Sequence, residues 1–188
     1  MNTVTQNGVS REVLVGVTGG IAAYKTAMLV SRLVGSGFGV SVVMTKSATQ
    51  LIAPKTFEAL TNRSVHCETF DGASSHLHIE LARAAKVFCI APATANILAK
   101  AANGIADDLV STLCLSFDGT LLFAPAMNSV MWQKPSVQRN LKHLKEDGAK
   151  IIEPNTGRLS CGETGIGRMA EPETIFETIA GYFINSKE

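Results

Sequence analysis

The chain has 188 residues, of which 46% are apolar, and this is enough for one well-filled core. Its 17 basic and 16 acidic residues are spread without long runs of one sign, which argues against nucleic acid or an anionic membrane as a partner. No apolar segment approaches the roughly 20 residues needed to cross a bilayer, and the polar N-terminus has no signal-like apolar core. The sequence therefore predicts a single cytoplasmic domain over residues 1–188, with a disordered segment at residues 1–11.

The four cysteines show no C-x-x-C pairing, so neither a zinc site nor a disulfide framework is expected. Reduced thiols are the simpler interpretation, and any one of them is then free for chemistry: Cys67, Cys89, Cys114 and Cys161.

Residues 13–17 form a short apolar run, predicted as a strand, that ends at Thr18, Gly19 and Gly20. Apolar residues then recur at helical spacing over residues 21–34. The glycines let backbone N–H groups approach a ligand closely, and the start of a helix favours an anion such as phosphate. A plain turn between strand and helix explains the same residues, and the spacing is not that of the G-x-G-x-x-G fingerprint.

A second strand is predicted at residues 39–44. It is followed by Thr45 and Ser47, whose hydroxyls either cap a helix or hold a phosphate. Residues 61–75 are polar and poorly periodic, and we predict a connection there with one short strand at residues 65–68.

His76 and His78 precede a third predicted strand at residues 87–91, and Pro-Ala-Thr-Ala-Asn follows that strand at 92–96. A metal site is not expected, because no third ligand lies nearby in sequence and side chains two residues apart diverge on a helix. His78 is either an acid or base beside a ligand cleft, since histidine exchanges protons near neutral pH, or a surface residue at a helix start.

A fourth strand is predicted at residues 120–124, and Pro-Ala-Met-Asn-Ser-Val-Met-Trp follows it at 125–132. In a parallel sheet, ligands bind beyond the carboxyl ends of the strands, so Asn128 stands where a ligand would lie. Its side-chain amide can donate to a carboxylate or a carbonyl. A turn followed by Met and Trp residues that fill the core is the alternative interpretation.

Further helices are predicted at residues 54–60, 97–102, 107–116, 136–147 and 171–184, and a last strand at residues 150–153. The alternation of short apolar strands with amphipathic helices predicts a parallel sheet covered by helices on both faces. The predicted fold class is α/β, a three-layer, Rossmann-like or flavodoxin-like single domain.

Residues 155–169 join the last strand to the last helix and contain four glycines. This composition indicates a mobile flap able to close over a ligand, although a plain flexible loop has the same composition. Mobility alone does not explain Cys161, which lies between Ser160 and Gly162.

Four stretches, taken together and in this order, resemble the flavin-dependent cysteine decarboxylases: Thr-Gly-Gly-Ile at 18–21, His-Ile-Glu-Leu at 78–81, Pro-Ala-Thr-Ala-Asn at 92–96 and Pro-Ala-Met-Asn-Ser-Val-Met-Trp at 125–132. The resemblance covers residues 13–175. A fifth stretch, Leu-Ser-Cys-Gly-x-x-Gly-x-Gly-Arg-Met at 159–169, is similar to the clamp of the members that act on phosphopantothenoylcysteine in coenzyme A biosynthesis.

The resemblance implies roles for particular residues and no metal. His78 would be the base that assists thiol oxidation, Asn128 would orient the substrate carboxylate, and Cys161 would donate a proton. The implied substrate contacts are Asn128, Met131, Arg158, Leu159 and Ser160. The implied cofactor is FMN, held by Gly19, Gly20, Ile21, Thr45, Ser47, Thr94, Ala95, Asn96, Ile97 and Ala126.

The implied reaction is the FMN-dependent decarboxylation of 4′-phosphopantothenoylcysteine to 4′-phosphopantetheine, which makes the protein a carboxy-lyase. A cysteine-derived carboxylate resists loss of CO2, because the carbanion left behind has nowhere to delocalise. Oxidation of the CH2–SH group to a thioaldehyde supplies that electron sink. CO2 then leaves to give an enethiol, and the returned hydride and a proton complete the thiol, with no net redox change.

Three other functions stay open at this point. A peptidyl-cysteine decarboxylase would stop at an aminoenethiol on a lantibiotic-like peptide, and members of that kind typically lack the cysteine in the clamp. A regulatory subunit that inhibits a protein phosphatase would carry long acidic extensions, and a flavin prenyltransferase would not need His78 with the clamp. The family implies a homotrimer or homododecamer, and because the sequence ends at Glu188, the ligase that supplies the substrate is expected to be a separate chain.

The variant Cys161→Ser tests the role implied for the clamp cysteine. We expect it to release CO2 but not to complete 4′-phosphopantetheine, because the enethiol then lacks its proton donor. Mass spectrometry of the products would show an enethiol or its oxidation product, and formation of 4′-phosphopantetheine at the normal rate would contradict the assignment.

Overall fold

The computed structural model describes residues 11–69, 76–160 and 162–184. The described strands are β1 Glu12–Val17, β2 Gly39–Met44, β3 Val87–Ala93, β4 Thr120–Pro125, β5 Lys150–Ile151, β6 Asn155–Arg158 and β7 Thr164–Arg168. The described helices are α1 Ala23–Gly35, α2 Lys46–Thr49, α3 Pro54–Thr61, α4 Leu77–Ala84, α5 Ala95–Ala102, α6 Leu109–Ser116, α7 Ser129–Gln133, α8 Pro135–Glu146 and α9 Pro172–Ile184. None of these helices is long and apolar enough to span a bilayer.

Strands β1 to β5 form one parallel sheet in the order β2-β1-β3-β4-β5. This is the strand order of the flavodoxin-like, doubly wound folds, in which the order reverses beside the first strand. The predicted α/β fold with a parallel sheet is therefore confirmed.

Helices cover both faces of the sheet, because successive side chains of a strand point to opposite faces. Along β1, Val13, Val15 and Val17 pack with α1, α3 and α9, whereas Leu14 packs with α4, α5, α6 and α8 on the other face. The side chains of β3 alternate between the two faces in the same way. Both faces of the central strands are therefore buried, and this explains why their sequences are near-continuous apolar runs.

The end of β3 leaves the regular ladder, since its register with β4 shifts between Ile90 and Ala93. Buried carbonyl groups need a hydrogen-bond partner, and three residues there find theirs outside the ladder. Ala91 O accepts from Thr26 Oγ1 at 2.7 Å, Pro92 O from Thr18 Oγ1 at 2.6 Å, and Ala93 O from Ala126 N at 3.0 Å. These bonds hold α1 and the segments that follow β1 and β4 against the end of β3.

Three expectations from the sequence need correction. The segment at residues 155–169, which was predicted as a loop, contains strands β6 and β7, and these pair as an antiparallel hairpin. The strand predicted at 65–68 is reduced to one bridge between His66 and Val43. The short helix α7 was not predicted, since its five residues are too few to show a periodic pattern.

The predicted disordered segment at residues 1–11 lies outside the described residues except for Arg11, whose guanidinium lies 4.1 Å from the centre of the Phe38 ring. The mobility of the hairpin and the single domain over residues 1–188 stay predictions.

Two ion pairs join α1 to the start of α9, one through Glu171, the residue just before that helix, and one through Glu173 within it. The Lys25 side chain is only 6% exposed, and its Nζ lies 2.9 Å from Glu171 Oε1, which also forms an ion pair with Arg168 Nη2 at 3.1 Å. The hydrogen bond from Lys25 is the main cause that holds the pKa of Glu171 below its ordinary value of 4.5. The second pair, Arg32 with Glu173, is more than half exposed on both sides and contributes less.

The variant Glu171→Gln should lower the free energy of unfolding near neutral pH by about 1–2 kcal/mol, because the buried Lys25 ammonium loses its counter-charge. A lowered carboxyl pKa stabilises the fold above the unfolded value and is lost as the pH falls through the folded value. The gap between wild type and variant should therefore close well below pH 4.5. Urea unfolding of both proteins at several pH values measures this difference in the free energy of unfolding.

Glu173→Gln is the matched control, since Glu173 lies two residues away on α9 and its pair with Arg32 is exposed. It should cost at most about 0.5 kcal/mol. An equal loss in both variants, or a gap that persists in acid, would contradict the assignment of this stability to the pair of Lys25 and Glu171.

Candidate functional site

A cleft of about 630 Å³ lies beyond the carboxyl ends of β1, β3 and β4, and its volume is typical of a small-molecule site. Four segments supply its walls: the turn before α1, the start of α5, the loop before α7 and the β6–β7 hairpin. The lining residues are Gly19, Gly20, Ile21, Ala22, Tyr24, Lys25, Thr94, Ala95, Ala126, Met127, Asn128, Met131, Arg158, Leu159, Ser160, Gly167, Arg168 and Met169.

The glycine turn at the end of β1 lies directly against the end of β2. A Cβ on Gly19 would lie 2.6 Å from Ser47 Oγ, so no other residue fits without moving Ser47. Thr45 Oγ1 accepts from Ala48 N at 3.3 Å and caps α2, which is the capping role that the sequence left open. The Ser47 hydroxyl, 3.1 Å from Thr45 Oγ1, is thereby held beside the turn.

Thr18 and Thr94 join the turn to the start of α5. The buried Thr18 Oγ1 donates to Pro92 O and accepts from Thr94 N at 3.2 Å. Thr94 Oγ1 in turn accepts from Ile97 N at 3.5 Å as the N-cap of α5. Because Thr94 Oγ1 acts as the acceptor in that bond, its own proton can be donated to an anion in the cleft.

Asn128 is held in one orientation by the helix that follows it. As the N-cap of α7, its Oδ1 accepts from Met131 N at 2.8 Å. A backbone N–H can only donate, so the amide oxygen must face Met131 and the amide nitrogen must point elsewhere. The two N–H donors of Asn128 are therefore available to a carboxylate in the cleft.

The charged side chains that line the described cleft are all cationic: Lys25, Arg158 and Arg168. Lys25 and Arg168 share Glu171 as their counter-ion, so the cleft carries an excess of positive charge. Such a site favours ligands that carry carboxylate or phosphate groups.

Burial removes two cysteines from acid–base chemistry. It raises the pKa of Cys89 to about 12 and that of Cys114 to about 12, with a further contribution from Asp108 for Cys114. Both thiols therefore stay protonated at neutral pH and neither lines the cleft. Cys161 lies outside the described residues, and its neighbour Ser160 lines the cleft.

The structure brings together eleven of the predicted site residues as lining of the cleft: Gly19, Gly20, Ile21, Thr94, Ala95, Ala126, Asn128, Met131, Arg158, Leu159 and Ser160. Thr45 and Ser47 lie next to it at the end of β2. The other predicted residues are not among the described lining residues. Asn96 is exposed, the Ile97 side chain is 1% exposed in the core, and the half-buried His78 lies on α4.

Sequence reasoning missed Lys25, Tyr24 and Met169 as lining residues. Lys25 carried a usable signal, because a lysine in the buried stripe of an amphipathic helix needs a charged partner or a ligand. Tyr24 and Met169 carried none, since their position in the cleft depends on how α1 and the hairpin pack.

The sequence is similar to known proteins of coenzyme A biosynthesis. The Flavoprotein family model matches residues 1–184. The coenzyme A biosynthesis bifunctional protein CoaBC of Bacillus subtilis is 44% identical over 176 residues, which are 93% of this chain and 43% of that protein. The CoaBC of Haemophilus influenzae is 39% identical over 180 residues, 95% of this chain and 45% of that protein. The chain thus spans less than half the length of these relatives.

Solved structures agree with the sequence comparison. A cysteine-to-serine mutant of PPC decarboxylase, complexed with pantothenoylaminoethenethiol, superposes with a TM-score of 0.83 at 33% identity and covers 94% of this chain and 100% of that chain. The FMN-dependent cysteine decarboxylase SpaF has a TM-score of 0.78 at 35% identity, covering 90% and 95%. The chain belongs to the Flavoprotein family, and its resemblance to the flavin-dependent cysteine decarboxylases is confirmed.

Proposed function

We propose that this protein is an FMN-dependent carboxy-lyase that converts 4′-phosphopantothenoylcysteine to 4′-phosphopantetheine in coenzyme A biosynthesis. The observation that carries the proposal is the fixed amide of Asn128, which presents two donors in a cationic cleft beside the glycine turn. Similarity to CoaBC proteins and to PPC decarboxylase supports this choice of substrate. We propose that the enzyme acts in the cytoplasm.

The residues around the glycine turn fit FMN. The turn lacks side chains where its backbone would meet a phosphate, and the Ser47 and Thr94 hydroxyls flank it. Bound there, FMN would supply a reversible hydride acceptor for the CH2–SH group. Ile97 can take part only through its backbone, because its side chain is buried. The residues proposed to hold the cofactor are Gly19, Gly20, Ile21, Thr45, Ser47, Thr94, Ala95, Asn96, Ile97 and Ala126.

Asn128 binds and orients the substrate carboxylate. Its N–H donors stabilise the negative charge without adding a proton, so the group stays ionised until CO2 leaves. Arg158, Leu159, Ser160 and Met131 contact the rest of the substrate from the hairpin and from α7.

Cys161 supplies the proton that completes the thiol product. Its neighbours Leu159 and Ser160 line the cleft, whereas Cys89 and Cys114 are not among the described lining residues. A proton delivered to the enethiol carbon, together with the hydride that FMN would return, would give the stable thiol product.

His78 acts from a neighbouring subunit. It lies on α4, away from the described lining of the cleft in its own chain, and a base must come within hydrogen-bond reach of the thiol. Exposed apolar side chains beside the cleft support an interface there: Ile21, just before α1, and Tyr24 and Met28, on α1, are 57–60% exposed. We propose a homotrimer, alone or grouped into a homododecamer.

Mass spectrometry of the products tests the function. The purified flavoprotein is incubated with 4′-phosphopantothenoylcysteine, and the expected result is loss of CO2 with formation of 4′-phosphopantetheine. No reaction, or a product that stops at the enethiol, would overturn the proposal. Turnover of a peptide that ends in cysteine would then indicate a peptidyl-cysteine decarboxylase.

Asn128→Asp should bind FMN but lose activity by roughly 100-fold or more. Aspartate is a good N-cap, so the bond from Met131 N and the start of α7 should survive. The new carboxylate would instead face that of the substrate and repel it. Steady-state kinetics and FMN absorbance measure the two effects, and normal activity would remove Asn128 from this role.

His78→Asn should bind FMN and fold but lose turnover. Mixed oligomers, formed by unfolding and refolding His78→Asn together with Asn128→Asp, should regain activity, because some interfaces then combine both intact residues. Each variant refolded alone serves as the control. Without recovery in the mixture, His78 and Asn128 would have to act within one chain.

A further inference from the structure

Two glycines of β7 lie against the loop that carries Asn128. A Cβ on Gly165 would overlap Ser129 Oγ and would lie 3.1 Å from Ser129 Cβ. A Cβ on Gly167, whose φ is +132°, would overlap Met127 O. The backbone of β7 can therefore approach the residues on both sides of Asn128 only because these two positions lack a side chain.

Hydrogen bonds use this close approach. Met127 N donates to Gly167 O at 3.0 Å, and Ser129 Oγ donates to Ile166 O at 2.9 Å. The residue before Asn128 and the residue after it are thus both bonded to β7. Any displacement of β7 must break these bonds or carry the backbone of Asn128 with it.

The side chain of Asn128 follows its backbone. Its Oδ1 is bonded to Met131 N in the first turn of α7, and Ser129 is the first residue of that helix. A shift of Ser129 therefore moves the cap and the amide together. Gly165 pairs with Gly157, and the residues that follow Gly157 in the same hairpin, Arg158 to Ser160, line the same cleft.

We infer that the β6–β7 hairpin and the Asn128 loop, residues 127–129, form one mechanical unit, in which Gly165 and Gly167 are positioning residues for the Asn128 amide. The position of the hairpin over the cleft then determines how well the Asn128 amide binds the substrate carboxylate. This inference rests on the proposed function for the role of Asn128, but the physical coupling does not depend on it.

Hydrogen exchange followed by mass spectrometry tests the coupling without substrate. In the flavin-loaded Gly165→Ala variant, the added methyl should push β7 away from Ser129. The amides of Met127 and Met131 should then exchange about tenfold faster, as expected for overpacking at a close contact. FMN affinity, measured by fluorescence, should stay within about twofold, because Thr94 and the glycine turn contact neither glycine of β7, and Ala126 is held by its own bond to Ala93 O of β3. With 4′-phosphopantothenoylcysteine, kcat/KM should fall by about tenfold.

A methyl swap provides the matched control. Within 4 Å, an added Cβ on Gly165 meets only atoms of Ser129, so Ser129→Gly should make room for it. The double variant should therefore exchange and turn over like Ser129→Gly alone. Gly181→Ala in α9, where an added Cβ meets nothing within 4 Å, should match wild type.

Several outcomes would overturn the inference. One is faster exchange confined to the hairpin with Met127 and Met131 unchanged, and another is the same loss from Gly165→Ala in both Ser129 backgrounds. If Gly165→Ala does not fold, Ser129→Ala removes only the bond to Ile166 O and should still speed exchange at Met127, so unchanged exchange would refute the coupling. Failure of the wild type to use the substrate would refute the proposed function instead, while the exchange result would stand.

Discussion

The hydroxyl of Thr18 is the interaction on which the site depends. Thr18 is 2% exposed, and its hydroxyl donates to Pro92 O and accepts from Thr94 N. The hydroxyl therefore joins the ends of β1 and β3 beyond the last regular hydrogen bonds between these strands. An unpaired carbonyl in this buried place would cost about 1–3 kcal/mol. Because the bond fixes both strand ends, the glycine turn and the cap of α5 face the same cleft.

The second constraint is the absence of a side chain at two positions of β7. Gly165 and Gly167 let the hairpin lie on the Asn128 loop, and this contact brings Arg158, Leu159 and Ser160 to the cleft. The residues proposed to hold the cofactor follow strand ends of the sheet. Of those proposed to contact the substrate, Arg158, Leu159 and Ser160 come from the hairpin outside the sheet, and Asn128 follows β4 and is bonded to that hairpin through its neighbours.

Much of this arrangement could be predicted from the sequence. The strands and most helices followed from apolar runs and helical spacing, because both faces of a central parallel strand are buried and both signals are strong. Asn128 followed from its place just past the end of a parallel strand, and the glycine turn from its place between a strand and a helix, whereas Thr94 followed only from the resemblance to the family. The hairpin was not predicted, because its glycines make no periodic pattern and its two short strands form only by pairing with each other.

By itself, the sequence determined the α/β fold, the edge of the sheet that holds the site and the residue types available there. Only the tertiary structure decided which of them meet: that Lys25 reaches the cleft and shares Glu171 with Arg168, that Ile97 is buried, and that His78 lies apart from the lining described in its own chain. The reason is physical. Local patterns record which face of an element is buried, whereas the partner across each contact depends on how distant segments pack.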